Sequence, residues 1–153
     1  MANTYSQIHI QIIFAVKGRE QLIKEEHRER LQQYITGIIT NKNQKLLAIH
    51  CMPDHTHIFM GIRPNIAISD LVRDIKANSS SFITENNLTK SIFSWQEGYG
   101  VFSYAKSQVD AVVKYVLNQA EHHKKRTFRE EYIDFLQKFE IQYDEKYLFD
   151  WIE

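Results

Sequence analysis

Hydrophobic and polar positions alternate along the first segment of the chain, residues 5–16. One side of this alternation is apolar, whereas the other carries Tyr5, Gln7, His9 and Gln11. Because successive side chains of a strand point to opposite faces, the pattern predicts a strand with one buried face. The apolar side consists of Ile8, Ile10, Ile12, Phe14 and Val16.

The next segments predict a helix followed by a hairpin. Apolar residues recur at helical spacing over residues 23–39, with charged residues between them. Residues 45–52 and 55–62 are strand-like, and Pro53-Asp54 separates them. The two strands should pair antiparallel through a loop slightly longer than a tight type I′ turn, because Pro-Asp is not the chemistry of such a turn.

The second half of the chain predicts a helix, a strand and two more helices. Ser69 is a suitable N-cap for a helix over residues 70–83. Residues 93–104 resemble a strand, and Gly98-Tyr99-Gly100 within it predicts a bulge or a close backbone approach. Helical patterns follow over residues 108–121 and 129–139, and the aromatic tail, residues 143–151, should dock onto the fold.

The predicted order is β-α-β-β-α-β followed by two helices, which is the order of a ferredoxin-like antiparallel sheet. The chain of 153 residues fits a single α+β domain. Within it we expect a ferredoxin-like core over residues 1–105, a helix that carries candidate catalytic residues over 106–126, and a C-terminal helix and tail over 127–153.

Composition narrows the class of protein. A hydrophobic content of 43% excludes wholesale disorder, and the single cysteine, Cys51, excludes an internal disulfide framework. No apolar run is long enough for a transmembrane helix and no N-terminal signal is recognisable, so we expect a cytoplasmic protein that does not enter membranes. The net charge of zero argues against a simple basic DNA binder, although residues 106–126 are basic and the chain beyond Arg129 is acidic.

Candidate chemistry begins with His55 and His57, which lie two residues apart in a predicted strand and so share a face. Two histidines are too few for structural zinc, which takes four ligands, but they suit a catalytic metal with open positions. The alternative is that the two histidines lie on the strand without binding a metal. The preceding Asp54 either orients a histidine or only forms the turn, and the sequence leaves both roles open.

A second candidate pair lies on the predicted helix over residues 108–121. Tyr115 and Gln119 are four residues apart, so they are neighbours on one side of the helix. The alternative is that both residues simply lie at the boundary between the buried and exposed sides of an amphipathic helix. If the helix leans on the sheet, Gln119 Oε1 becomes a third metal ligand and the Tyr115 hydroxyl approaches a bound phosphate. The buried stripe should contain Val109, Val112, Val113, Val116 and Ala120.

Such a site suits metal-assisted phosphoryl transfer with a tyrosine nucleophile. A free tyrosine is a weak nucleophile at neutral pH because its pKa is about 10. A divalent cation on the phosphate offsets developing charge and orients the phosphorus for in-line attack. We expect Mg²⁺ or Mn²⁺, with Mn²⁺ the better match for imidazole ligands.

Together these residues resemble a known family, the HUH single-tyrosine transposases of small insertion sequences (IS200-like). Five stretches carry the resemblance: the first strand from Ile8 to Arg19, Met52-Pro53-Asp54-His55-Thr56-His57, Trp95-Gln96-Glu97-Gly98-Tyr99-Gly100, Lys114-Tyr115-Val116-Leu117-Asn118-Gln119, and the run from His122 to Tyr132. One position departs from the family: the residue between the histidines is usually hydrophobic and here is Thr56.

The resemblance implies an activity and an assembly. Such enzymes cut single-stranded DNA beside hairpins at insertion-sequence ends, form a 5′-phosphotyrosine, leave a 3′ hydroxyl, and then rejoin strands. The resemblance assigns Tyr115 as nucleophile and His55, His57 and Gln119 as metal ligands. It also implies a homodimer in which the histidines of one subunit meet the tyrosine helix of the other.

DNA contacts are predicted from cations and aromatic side chains near element ends. The alternative for each is a solvated charge or a core aromatic residue. Two other functions remain open: a domesticated relative that cuts repeat hairpins without moving an element, and a non-catalytic ferredoxin-like nucleic-acid-binding module. The candidate DNA-contacting residues are Lys17, Arg19, Arg63, Arg73 and Lys76, with Trp95, Tyr99 and Phe102 as stacking surfaces.

Overall fold

The computed structural model describes residues 3–17 and 23–149. Four strands form one antiparallel sheet in the order β2-β3-β1-β4. This order and the observed sequence of elements confirm the predicted α+β fold with a ferredoxin-like sheet. The strands are β1 (His9–Ala15), β2 (Lys45–Cys51), β3 (His55–Gly61) and β4 (Gly100–Tyr104).

Five α-helices and two short 3₁₀ turns accompany the sheet in the described ranges. The 3₁₀ turns are Lys106–Gln108 and Glu145–Tyr147. The tail beyond α5 docks through Phe149, which is buried against Phe128 and Tyr132, while Trp151 lies outside the described residues. The helices are α1 (Glu25–Asn41), α2 (Ile68–Glu85), α3 (Val109–Leu117), α4 (Gln119–His122) and α5 (Phe128–Lys138).

Both faces of β1 are buried, which corrects the prediction of a single buried face. Ile10, Ile12 and Phe14 pack against α1 and α2 on one side of the sheet. On the other side Gln11 and Ile13 are completely buried beneath the C-terminal helices. The alternation in the sequence therefore separates two buried faces of the strand, one that is apolar and one that contains polar side chains.

The loop between β2 and β3 is shorter than predicted. The Met52 N–H donates to the His55 carbonyl at 2.8 Å, so only Pro53 and Asp54 lie between the last paired residues. Neither has a positive φ, so the turn is not type I′. Their carbonyls are held from outside the hairpin instead, by the N–H groups of Ile23 at 3.1 Å and Val16 at 2.8 Å.

The predicted strand over residues 93–104 is regular only in its last part, β4. Before it, Trp95 forms an isolated bridge with Val16, and Lys76 Nζ donates to the carbonyls of Gln96 and Gly98 at 2.8 and 2.6 Å. A side chain thus replaces the strand partner that these carbonyls would need. The predicted close approach is confirmed at Gly100, where a Cβ would lie 2.6 Å from the Tyr132 hydroxyl.

The second helix begins at Ile68, two residues before the predicted start, and Ala67 takes the N-cap position instead of Ser69. Ala67 offers no side-chain cap. Ile66 and Ile68, on either side of it, both pack against the core, so hydrophobic contact sets this helix start in place of capping chemistry.

In the part of the chain that the structure describes, no helix has the length and apolarity needed to cross a membrane.

Candidate metal and nucleophile site

His55 and His57 project from β3 toward α3, α4 and α5. Their Cα partners on β1 are Ala15 and Ile13, so both lie where the two central strands of the sheet pair, with His55 at the start of β3. The two side chains are 1% and 0% exposed, and their ring centroids are 5.1 Å apart. The two imidazoles share one face, as the sequence predicted. Between them Thr56 points to the opposite side and is completely buried.

A hydrogen bond at Nδ1 orients each ring. Asp54 Oδ1 lies 2.7 Å from His55 Nδ1, and Gln11 Oε1 lies 2.6 Å from His57 Nδ1. Carboxylate and amide oxygens accept hydrogen bonds, so both Nδ1 atoms carry the proton. Both Nε2 atoms then direct a lone pair toward α5, as histidines that bind a metal do. Asp54 therefore both forms the turn and orients His55.

A buried carboxylate from α5 faces these lone pairs. Glu131 Oε1 lies 3.1 Å from His57 Nε2, 3.7 Å from His55 Nε2 and 3.1 Å from His123 Nε2. One nitrogen or oxygen atom from each of these four side chains lies within 4.8 Å of the others. We call His55, His57, His123 and Glu131 the four-residue cluster.

The start of α5 explains why Glu131 points inward. Thr127 and Glu130 form a capping box, in which the Glu130 N–H donates to Thr127 Oγ1 and the Thr127 N–H donates to Glu130 Oε1, each at 3.2 Å. The helix that follows buries one stripe at helical spacing, and Glu131 lies within it. The other buried residues of this stripe are Phe128, Tyr132, Phe135 and Leu136.

A break in the helix after Tyr115 brings Gln119 and His123 inward. The predicted helix over residues 108–121 ends at Leu117, and α4 begins at Gln119. Gln119 is consequently buried and Ala120 is exposed, which corrects the prediction that Ala120 belongs to the buried stripe. Gln119 Oε1 lies 3.0 Å from His123 Nε2, so Gln119 adjoins the four-residue cluster through that histidine.

The chemistry of the cluster fits a divalent cation. The lone pairs of His55 and His57 face the Glu131 carboxylate, and this arrangement is repulsive unless a proton or a cation lies between them. His55 Nε2 is buried and lacks a hydrogen-bond partner among the described residues. Three imidazoles with one carboxylate suit Mn²⁺ better than Mg²⁺, which prefers oxygen ligands.

The protonation states also favour metal binding. Burial lowers the pKa of His55 below its ordinary value. Burial opposes ionisation of Glu131, but when the surrounding imidazoles are protonated their charge, that of His57 first, and their hydrogen bonds hold the pKa of this carboxyl well below its usual range; a bound cation would act in the same direction. A neutral imidazole and an ionised carboxylate are the forms that coordinate a cation.

Tyr115, on α3, contacts the four-residue cluster through Glu131. Its hydroxyl donates to Glu131 Oε2, and Arg126 Nη2 donates to the Tyr115 oxygen at 3.2 Å. The ring stacks on His122 with centroids 4.5 Å apart and lies 6.1 Å from the His57 ring. Burial, together with the Glu131 charge, raises the pKa of Tyr115 above its ordinary value. The phenol is therefore protonated, with a proton acceptor already in place.

Two clefts flank the site. One of about 260 Å³ opens beside Tyr115 and is lined in part by Gln11, Tyr104, Arg126 and Lys138. The other, of about 370 Å³, opens on the other side of Arg126 and is lined in part by Asp54, His123, Lys124 and Phe128. Tyr115 therefore borders the first cleft and His123 the second, while His55, His57 and Glu131 are buried behind them.

The candidate DNA-contacting cations do not gather around these clefts. Arg73 and Lys76 lie on α2, which packs on the other face of the sheet from the histidines. Arg73 is exposed and pairs with Asp70 and Asp74, each at 3.3 Å. Arg63 follows β3 and is exposed at the far end of that strand from His55.

The remaining candidates divide between surface and core. Lys17 is exposed at the end of β1, Tyr99 is 37% exposed, and Arg19 lies outside the described residues. Trp95 is 8% exposed because its ring packs edge-on against Phe14 and Phe93 and its Nε1 donates to Ser79. Phe102 is likewise buried, so neither ring offers a face to a base.

Four residues of the site were not identified from the sequence: Gln11, His123, Arg126 and Glu131. Gln11 lies on the face of the first strand that was predicted to be exposed. Glu131 gave a signal that could have been used: an acidic residue in the middle of the apolar stripe of α5. His123 continues the spacing of four from Tyr115 and Gln119. Arg126 gave no signal of its own, because exposed basic residues surround it in the chain.

Comparison with known proteins identifies a family for this chain. A model of the family described as "Transposase IS200 like" matches residues 4–119. The ISDra2 transposase TnpA of Deinococcus radiodurans is 24% identical over 118 residues, which cover 74% of this chain and 84% of that protein. The transposase of insertion sequence element IS200 from Salmonella typhimurium is 26% identical over 130 residues, covering 81% and 84% respectively.

Solved structures share the fold. A crystal structure of a Deinococcus radiodurans protein superposes with a TM-score of 0.63 at 23% identity, covering 78% of this chain and 95% of that one. A REP-associated tyrosine transposase bound to a REP hairpin superposes with a TM-score of 0.60 at 15% identity, covering 80% and 73%. From the family match over most of its length, this chain belongs to the IS200-like transposases.

Proposed function

We propose that this protein cuts and rejoins single-stranded DNA through a covalent bond between Tyr115 and a 5′ phosphate. Membership of a transposase family makes it a DNA-processing enzyme. One observation carries the finer proposal: the Tyr115 hydroxyl and both histidines converge on the single carboxylate of Glu131. The nucleophile and the candidate cation site therefore contact the same carboxyl group.

In the proposed step the Tyr115 oxygen attacks the phosphorus of a phosphodiester. The new tyrosine O–P bond forms as the bond from phosphorus to the 3′ oxygen breaks. The phenol proton passes through the hydrogen bond to Glu131 Oε2 and on to water, and the 3′ oxygen leaves as a hydroxyl after taking up a proton from water. The number of phosphoester bonds is unchanged, so a later 3′ hydroxyl can reverse the step without ATP.

The four-residue cluster would hold a divalent cation, with Gln119 beside it as a further oxygen donor. When bound, such an ion supplies Lewis-acid stabilisation of charge on the phosphate and offsets the charge of Glu131. Asp54 and Gln11 keep the histidine rings in the orientation that this requires. Two of the four residues, His123 and Glu131, follow the stretch that the family model matches.

We further propose that the site works within one chain. Val112 and Val116 of α3 pack against Ala48 and Phe59 of the chain's own sheet, and this contact holds Tyr115 beside its own histidines. The sequence resemblance implied sites shared across a homodimer. That arrangement stays a prediction, and the contacts inside this chain support the unshared alternative.

The DNA to test is a hairpin with an unpaired flank. The solved REP-associated neighbour is bound to a hairpin, and the family resemblance implies hairpins near the cut. Of the predicted DNA-contacting residues, Lys17, Arg63, Arg73 and Tyr99 remain candidates. The buried Trp95 and Lys76, which holds the backbone of residues 96–98, are better explained as structural residues.

The experiment incubates purified protein and Mn²⁺ with a 3′-labelled single strand taken from the DNA that flanks the gene, including its hairpin. We expect a covalent protein–DNA adduct that survives denaturing electrophoresis, disappears with EDTA, and is absent from Tyr115→Phe. Phe keeps the ring packed on His122 and removes only the attacking oxygen. An adduct formed by Tyr115→Phe, or no adduct with the wild-type chain, contradicts the proposal.

A further inference from the structure

Arg126 is the cation that contacts the nucleophile. In the described part of the chain, the Tyr115 hydroxyl has two hydrogen-bond partners, the Glu131 carboxylate and the Arg126 guanidinium, whose Nη2 atom is 3.2 Å away. A phosphate under attack must come to within about 3–3.5 Å of the attacking oxygen. The guanidinium is therefore within hydrogen-bonding distance of where the phosphate oxygens must lie.

The position of Arg126 also fits a path for DNA. Its side chain lines both clefts, so a strand that passes from one cleft to the other crosses it. The cleft beside Tyr115 adds the ring of Tyr104 and the cation Lys138, which suit a base and a neighbouring phosphate. Arg126 thus lies where the nucleophile, the two clefts and the candidate cation site meet.

The present partner of Arg126 leaves the guanidinium available. Its Nη1 donates to Asp134 Oδ2 at 3.3 Å, in a pair whose side chains are 33% and 61% exposed. An ion pair this exposed is weak, because water screens both charges. The planar fork of an arginine matches two phosphate oxygens at once, and such charge-assisted bonds are stronger than the long contact with Asp134.

We propose that Arg126 binds the phosphate that Tyr115 attacks, because its guanidinium lies against the nucleophilic oxygen where the two clefts meet. The inference rests on the proposed tyrosine chemistry and adds a residue beyond the stretch matched by the family model. It gives the anionic substrate a cationic partner beside the attacking oxygen.

The test measures the rate of covalent adduct formation at saturating hairpin DNA with Mn²⁺. We expect Arg126→Gln to slow this rate by about 100-fold or more, the loss typical of removing one donor to transition-state charge. Arg126→Lys should fall between Gln and wild type, since lysine keeps the charge but loses the fork. In EDTA, Arg126→Gln should also reduce the slope of log affinity against log salt by about 0.7, the value for one phosphate contact on a single strand.

Two control variants separate phosphate binding from other roles. Lys125→Gln removes an equal charge from the adjacent exposed residue and should leave the rate within about fivefold of wild type. Asp134→Asn breaks the exposed pair while keeping the guanidinium, and should also stay within about fivefold. Thermal unfolding of each variant checks that the fold is retained.

Several results would overturn the inference. These are an unchanged rate in Arg126→Gln, an equal loss in Lys125→Gln or Asp134→Asn, or a defect in DNA affinity with a normal rate at saturation. If wild type forms the adduct and Tyr115→Phe does not, any of these results refutes the role of Arg126 alone. If wild type forms no adduct, the tyrosine chemistry and this inference fail together.

Discussion

Gln11 is the residue that connects the first strand to the histidine pair. Its Oε1 accepts from His57 Nδ1 at 2.6 Å, while its Nε2 donates to the Tyr104 hydroxyl at 2.9 Å. We expect Gln11→Leu to weaken Mn²⁺ binding by about 10- to 100-fold, the usual effect of removing the group that orients a ligating histidine. Isothermal titration calorimetry with Mn²⁺ measures it.

The matched control for this prediction is Tyr104→Phe. It removes the other partner of Gln11 but keeps the oxygen that faces His57, so Mn²⁺ affinity should stay close to wild type. Equal affinities of Gln11→Leu and wild type would show that His57 either needs no orientation or does not bind the ion.

His50 gives the molecule a pH dependence at the residue scale. Burial, with the nearby Arg28 charge, lowers the pKa of His50 from 6.5 to about 4. Between these values the unfolded chain binds a proton that the folded chain does not, so folding stability falls as pH decreases from about 6.5 toward 4. Glu131 adds its own loss only below the unfolded glutamate pKa of about 4.3, in a separate window.

We therefore expect His50→Gln to flatten the decline in unfolding free energy between pH 6.5 and 5, measured by urea denaturation in EDTA. A residual slope should remain, because burial also lowers the pKa of His55. Identical slopes for variant and wild type would mean that His50 is not held neutral in the folded protein.

At this scale the sequence could predict residues whose chemistry depends on local spacing. His55 and His57 share a face because a strand has period two. The predicted proximity of Tyr115 and Gln119 is retained although the helix breaks between them, because Gln119 Nε2 donates to the Tyr115 carbonyl at 3.3 Å. Glu131 and Arg126 could not be placed in the same way. Their roles depend on where α5 and the loop before it dock, which is a matter of tertiary packing.

Among the elements, α5 sets the position of the carboxylate, and its packing on β4 depends on Gly100. A Cβ at this position would lie 2.6 Å from Tyr132 Oη and 2.9 Å from Tyr132 Cε1. We expect Gly100→Ala to lower the free energy of unfolding by about 1–3 kcal/mol, the range for overpacking. It should also weaken Mn²⁺ binding, because Tyr132 adjoins Glu131 on α5.

Gly37→Ala is the control for that change. Gly37 lies inside α1 with no atom within 4 Å of an added Cβ, so the substitution should stabilise the protein by up to about 1 kcal/mol through helix propensity. Chemical denaturation compares the two variants. A Gly100→Ala protein as stable as wild type would show that α5 can shift freely.

Element prediction from the sequence was most successful where one periodicity ran without interruption. The strands of the hairpin and helix α1 follow the pattern within two residues at each end. Prediction was less successful where a side chain replaces the strand as hydrogen-bond partner of the backbone, as Lys76 does for the carbonyls of residues 96 and 98. The break between α3 and α4 was missed because the apolar spacing continues through Asn118, although only the break turns Gln119 inward.

At the scale of the whole molecule, one chain supplies every residue of the proposed site. If each active site is formed within one chain, two inactive variants cannot restore each other's activity, because each chain lacks part of its own site. We expect a mixture of His57→Ala and Tyr115→Phe proteins to form no more adduct than either alone. Recovery of activity on mixing would instead show that the tyrosine helix serves a partner's histidines.

The decisive measurement maps the residue that carries DNA. After reaction with Mn²⁺ and hairpin DNA, the adduct is digested with nuclease and trypsin, and the peptide that retains a nucleotide phosphate is identified by mass spectrometry. The account predicts a single modified residue, Tyr115. A phosphate on any other side chain, or strands cut to free 5′ ends without attachment to protein, would contradict it.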